Sequence, residues 1–126
     1  MPKPNPVAAR RLKTYTAETG CVYEYYFVGK RTAVSDDPFA PATEYIFDIV
    51  SARNPKFAVS IFLFDSAVAA WQHENGRDLL DAERYAVAKR RLFRGFDRIA
   101  QLMENGRRLP VDVGELKEFL LELGVD

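Results

Sequence analysis

Between Cys21 and Phe64 apolar positions recur with a period of two, and beyond Asp65 the period lengthens to three or four. The first stretch predicts strands and the second predicts helices. Valine, tyrosine and phenylalanine dominate Cys21–Val28, and Gly20 and Gly29 punctuate its ends. Alternation places Tyr23, Tyr25 and Phe27 on one face of that strand, with Val22, Glu24, Tyr26 and Val28 on the other. Residues 35–43 hold Pro38, Pro41 and the Asp36-Asp37 pair and read as a loop. A second strand over Glu44–Ser51 sets Tyr45, Phe47 and Ile49 opposite Glu44, Ile46, Asp48 and Val50. Arg53-Asn54-Pro55-Lys56 is a compact turn into a third strand, Phe57–Phe64, so the last two strands form a hairpin.

The third strand is apolar on both sides. Phe57, Val59, Ile61 and Leu63 share one face, and Ala58, Phe62 and Phe64 share the other. Such a strand requires cover on both faces. Helices supply one cover; the other is expected from an N-terminal segment or from a second copy of the chain. That expectation leads to a homodimer joined through a sheet face carrying either Tyr23, Tyr25 and Phe27 or Phe62 and Phe64.

Asp65 or Ser66 can cap a short helix through Trp71, which Asn75-Gly76 stops. Asp78 or Asp81 can cap a long helix to Glu104, buried through Tyr85, Ala88, Leu92, Phe96, Ile99 and Met103. Gly95 inside it costs about 1 kcal/mol relative to alanine, which suggests close packing there. Leu109-Pro110 breaks the chain, and Asp112 caps a last helix that buries Leu116, Phe119, Leu120 and Leu123. Near the N-terminus, residues 12–17 alternate as a strand would, yet residues 7–13 also suit a helical turn. The fold class is therefore α+β. An antiparallel sheet of three strands, or four, precedes three helices packed mainly on one face, in the order β-β-β-α-α-α. Pro2, Pro4 and Pro6 make residues 1–11 an extended tail, leaving 12–126 as one domain.

Composition narrows the function classes only slightly. Eighteen basic and eighteen acidic residues cancel, so any nucleic-acid argument must rest on local clustering. The longest strongly apolar run, Ile61–Phe64, is far below the roughly 20 residues that span a bilayer. The N-terminus carries no apolar signal-peptide core, and Cys21 is the single cysteine, so a cytoplasmic protein without disulfides is expected.

Clustering does occur on the long helix. At about 100° per residue, Arg84, Arg91 and Arg98 fall nearly in line, with Arg90 and Arg94 beside them. A row of guanidiniums can grip phosphates of a nucleic acid or an anionic ligand. Glu83, Asp97 and Gln101 interrupt the row, and Glu115, Glu118 and Glu122 offer a facing acidic stripe, so an ion-pair ladder is the competing outcome. The tyrosines of the first strand, beside Lys30 and Arg31, resemble in kind a platform for stacking bases, but sheet packing or a protein interface suits them as well.

Catalytic candidates are thin. His73 and Cys21 lie far apart in sequence, which makes a poor metal set. Ser66 and His73 share a helix face roughly 10 Å apart, too far for proton transfer. Cys21 reads as core filler at a strand start. Asp36-Asp37 could act as an acid/base pair or chelate a cation, though a turn explains them. Gly29-Lys30-Arg31-Thr32 is no phosphate loop, because Glu24 stands where a glycine belongs and Arg31 where a hydroxyl belongs. No cofactor and no metal are expected. The leading expectation is a non-enzymatic interaction or regulatory module. Anion or nucleic-acid binding through Arg84, Arg91, Arg94 and Arg98 is the alternative, and a small enzyme with an unrecognised site is the second.

Overall fold

The computed structural model describes residues 11–51, 55–99 and 101–125. The expected tail, apart from Arg11, and the Arg53-Asn54 half of the hairpin turn lie outside the described residues. Five strands form one sheet in chain order: β1 (Lys13–Thr16), β2 (Val22–Thr32), β3 (Ala42–Val50), β4 (Phe57–Phe64) and β5 (Arg108–Val111). Helices α1 (Asp65–Asn75), α2 (Asp81–Arg98) and α3 (Leu102–Asn105) lie between β4 and β5, and α4 (Val113–Glu122) follows.

The class is α+β, but the sheet is mixed and larger than the three or four antiparallel strands expected. β1 to β4 pair antiparallel as a meander, while β5 pairs parallel with β4. A parallel return needs a long crossover, which α1, α2 and α3 provide. Pro110 does not merely break the chain: it sits in β5, at the sheet edge, where a missing N–H is tolerated. β1 resolves the open reading of residues 12–17 in favour of a strand, pairing Tyr15 with Tyr23. The long helix ends at Arg98 rather than Glu104. Gln101 takes the left-handed conformation at φ 56°, and Leu102 starts a separate single turn.

One face of the sheet carries the main core. Tyr25, Tyr45, Phe47, Ile49, Val59, Ile61 and Leu63 pack against Trp71, Leu92, Phe96, Leu116 and Phe119 from the helices, all buried. Gly95 marks the near approach of α2 to β5, since a Cβ there would sit 3.0 Å from Leu109 Cδ1. Asp112 caps α4 as expected, accepting from Glu115 N–H at 2.9 Å. Gly76 stops α1 in the left-handed conformation, also as expected, but the other N-caps differ from expectation. Phe64 precedes α1 without a side-chain cap, and at α2 Glu83 reaches back to accept the Leu80 N–H at 2.9 Å.

The second face of β4 is covered too, and by neither expected source. The loop between β2 and β3 folds over it. Phe39 lies 5.1 Å from Phe62 and 6.0 Å from Phe64, ring centre to ring centre, and Ala33 and Ala42 complete a small second cluster. Arg108 from β5 lays its guanidinium 4.7 Å above Phe62 and 5.3 Å from Phe39, and it ion-pairs with Asp37. Asp37 also accepts the Phe39 N–H at 2.8 Å, so its role in the loop is to hold Phe39 in place. For Phe62 and Phe64, therefore, the cover comes from the chain's own loop and not from a second copy.

A bulge between Phe27 and Gly29 shifts the register of β2, so that Arg31 pairs with Glu44 and Lys30 with Tyr45. Arg31 Nε then donates to Glu44 Oε1 at 2.9 Å, and Ser60 Oγ to Glu44 Oε2 at 2.6 Å. Burial opposes ionisation of Glu44, which is 7% exposed, but these two donors outweigh it and hold its pKa below the usual value.

Candidate functional site

The arginine row divides once its neighbours are placed. α4 lies across α2 and presents its glutamates to the row, giving pairs at 3.4 Å (Arg91 Nε–Glu115), 2.7 Å (Arg94 Nη2–Glu118) and 3.5 Å (Arg90 Nη1–Glu122). Arg91 is the most enclosed: its side chain is 14% exposed, and its Nε donates to the Pro110 carbonyl at 3.0 Å. Burial lowers its pKa. Arg84 turns the other way, donating to Gln72 Oε1 at 3.3 Å. Arg98, at the C-terminal end of α2, is exposed, and no ion-pair partner contacts it among the described residues.

Arg90, Arg94 and Arg98 line one groove of about 490 Å³, which Arg84 and Arg91 do not enter. The groove is bounded by β1, the turn after it, α2 and α4, with Tyr15, Glu18, Phe93, Asp97, Phe119 and Glu122 on its walls. Its volume is within the range of small-ligand sites. The walls are built from stacked rings: Tyr15 lies face to face with Phe93 at 4.3 Å and 5°, and the Arg94 guanidinium sits 4.5 Å above Phe119.

Asp97, which reads in the sequence as an interruption of the basic row, fastens β1 to α2. Its Oδ2 accepts from Tyr15 Oη at 2.7 Å, and its Oδ1 accepts the Glu18 N–H at 2.9 Å. Both oxygens are therefore engaged, and Asp97 does not neutralise Arg98 through a direct pair. Neither Tyr15 nor Asp97 was a candidate, because 82 residues separate them. Burial, then the hydrogen bond to Asp97, push the Tyr15 phenol up to about 12.

This shift has a pH consequence. The folded chain keeps a Tyr15 proton that the unfolded chain releases near pH 10. The stability it contributes is intact below pH 10 and is lost as the pH rises toward about 12. Burial raises Tyr23, Tyr25, Tyr45 and Tyr85 in the same direction. Tyrosinate absorbance followed from pH 9 to 12 is expected to rise late, together with loss of near-ultraviolet dichroism. A native chain whose tyrosines all ionise near pH 10 would contradict the placement of these phenols.

The aromatic strand meets helix rather than solvent. Tyr23 stacks on Phe96 at 4.3 Å, Phe27 lies 5.0 Å from Tyr85, and Tyr25 is 3% exposed. The face expected to meet a partner or to stack bases is thus filled by α2. On the opposite face, Phe62 is buried under Phe39 and Phe64 is half-buried. Cys21 is exposed rather than core filler, and Ser66 and His73 are exposed on α1. No group of three or more histidine, cysteine or acidic residues suited to a metal ion occurs among the described residues. Likewise no described helix is long and apolar enough to cross a membrane. In comparisons with protein-family models, curated proteins and solved structures, the chain matches none.

Proposed function

We propose that the protein is a non-enzymatic binding module that holds a small anion in the groove of Arg90, Arg94 and Arg98. The observation that carries this reading is Arg98: an exposed guanidinium that no ion-pair partner contacts among the described residues, on the rim of a groove beside two arginines whose partners are exposed glutamates. Exposed ion pairs contribute little, so an incoming anion displaces Glu118 or Glu122 with small loss. The balance of charges over the whole chain argues against a long nucleic acid, which needs a basic excess. The free thiol of Cys21 fits a reducing, cytoplasmic setting.

Thermal unfolding at constant ionic strength tests the reading. A bound anion at about 100 times its Kd stabilises the native state by about 2.7 kcal/mol, which raises Tm. At least one of acetate, benzoate, sulfate and phosphate is expected to raise Tm above a chloride control, and Arg98→Gln to abolish the rise. If every anion behaves as chloride does, the reading fails.

A second reading, self-association, is favoured by one observation. The middle of the sheet's outer face, with Ile46, Asp48 and Ala58, is partly exposed and lies outside the cluster that the loop forms over Phe62. Light scattering at high micromolar concentration is expected to give a mass above the 14.4 kDa chain, reduced by Ile46→Lys. A monomer mass for the unaltered chain ends that reading.

A further inference from the structure

We propose that Lys89, set beside Lys13, is the chain's reactive amine, a site at which a small aldehyde condenses ahead of the other described lysines. Lys89 does not line the groove, so the inference stands apart from the anion reading.

Register between β1 and α2 places it. Tyr15 stacks face to face on Phe93 at 4.3 Å, and further along both segments the Glu18 N–H meets Asp97 at 2.9 Å, so the two run the same way. Two residues back from Tyr15 is a step of about 6.6 Å on the same strand face, and four residues back from Phe93 is a step of about 6 Å on the same helix face. The first step reaches Lys13 and the second reaches Lys89. The next rung after an aromatic stack is thus a pair of like charges.

Surroundings separate Lys89 from the remaining lysines. Lys30 lies 3.8 Å from Asp81, Lys56 3.9 Å from Asp48 and Lys117 2.8 Å from Glu74. No carboxylate contacts Lys89 among the described residues. Lys89 is half-buried instead, with its Nζ 5.8 Å from the centres of the Tyr85 and Phe93 rings. At that distance, close to the limit of about 6 Å, cation–π attraction returns little of the hydration that the rings displace. Lys13 is exposed and keeps its water. The other titratable groups there are the phenols of Tyr85 and of Tyr25, which meets Phe93 edge-on; burial raises both, so neither is charged at neutral pH. Burial, then the charge of Lys13, hold the Lys89 ammonium below the usual lysine range. Desolvation and a neighbouring cation are two means by which a lysine becomes nucleophilic near neutral pH. The neutral Nζ adds its lone pair to the carbonyl carbon of the aldehyde, a proton passes from nitrogen to oxygen, and water leaves to give the imine.

The test is reductive methylation of the full chain at pH 7 with limiting carbon-13 formaldehyde, cyanoborohydride supplying the hydride that traps each imine. Peptide mass spectrometry and carbon–proton NMR read every lysine separately, with Lys89→Arg identifying the Lys89 resonance. Lys89 is expected to take label several-fold faster than Lys30, Lys56 and Lys117, and its methylated resonance to titrate at lower pH than theirs. Lys13→Gln, at an exposed position, should shrink that lead while the other three keep their rates. Labelling of Lys89 no faster than that of Lys56 or Lys117, or titration together with them, would overturn the assignment. A lead undiminished in Lys13→Gln would overturn the part given to Lys13.

Discussion

Phe96→Ala is expected to destabilise the fold by about 3–5 kcal/mol, the range for truncating a buried phenylalanine. Phe96 is 2% exposed and ties α2 to β1 and β2. It stacks on Tyr23 at 4.3 Å and meets Tyr15 at 5.6 Å, Tyr25 at 6.1 Å and Phe93 at 6.4 Å. Removing it opens a cavity between α2 and the first two strands, where the surrounding rings are too rigid to collapse into the space. Domains of this size are stable by only about 5–15 kcal/mol, so the loss takes a large share of the total. Phe96→Leu retains most of the volume and should lose less. Urea unfolding checks both: the midpoint should fall in the order wild type, Leu, Ala, with a constant slope. An unchanged midpoint for Phe96→Ala would mean that β1 and β2 do not pack on α2 as described. The same variant should loosen the groove, because Tyr15 and Phe93 lean on this ring.

Much of that packing is legible from the pattern of residues. Tyr25, Tyr45, Phe47, Val59 and Ile61 alternate as the buried side of strands must, and Ala88, Leu92 and Phe96 recur as the buried side of α2 must. Local periodicity reaches no further than its own element. β5 escapes it because four residues are too few to alternate convincingly, and Pro110 argues against a strand unless its edge position is known. The loop over Phe62 escapes it for a different reason. The partner of Phe62 is Phe39, and nothing in either segment alone says that they meet. The composition of β4 calls for two covers, but whether the second is an N-terminal segment, a second copy or the intervening loop is a matter of long-range contact that the pattern does not encode.

The groove was half legible. A row of arginines and an opposing acidic stripe at Glu115, Glu118 and Glu122 are both visible in the sequence, and they do meet. Helical spacing gives the angle of each arginine around α2, but not which of them faces α4, α1 or water. Arg84 and Arg91 therefore sat in one candidate set with Arg94 and Arg98, although Gln72 and Pro110 hold the first two apart from the groove. By sequence alone Asp97 is a flaw in a basic stripe, because its partners, Tyr15 and the Glu18 amide, lie at the other end of the chain.

That division makes Arg91→Glu a test of folding rather than of ligand binding. Arg91 is largely enclosed between α2, α4 and β5, with Pro110 and Glu115 as its partners. The substitution leaves the Pro110 carbonyl without its donor and sets an introduced, largely enclosed carboxylate against Glu115. Breaking a buried ion pair in this way costs about 3–5 kcal/mol. Arg91→Met, which keeps volume but removes charge, should lose less, since Glu115 retains access to solvent. Arg98→Glu reverses an exposed charge and should move stability by no more than about 0.5 kcal/mol. Urea midpoints of the three variants at pH 7 are expected to fall in that order of severity. Equal midpoints for Arg91→Glu and Arg98→Glu would contradict the burial of Arg91. Two arginines seven residues apart on one helix line thus have opposite uses: one closes the joint between α2 and α4, and the other is left open at its edge.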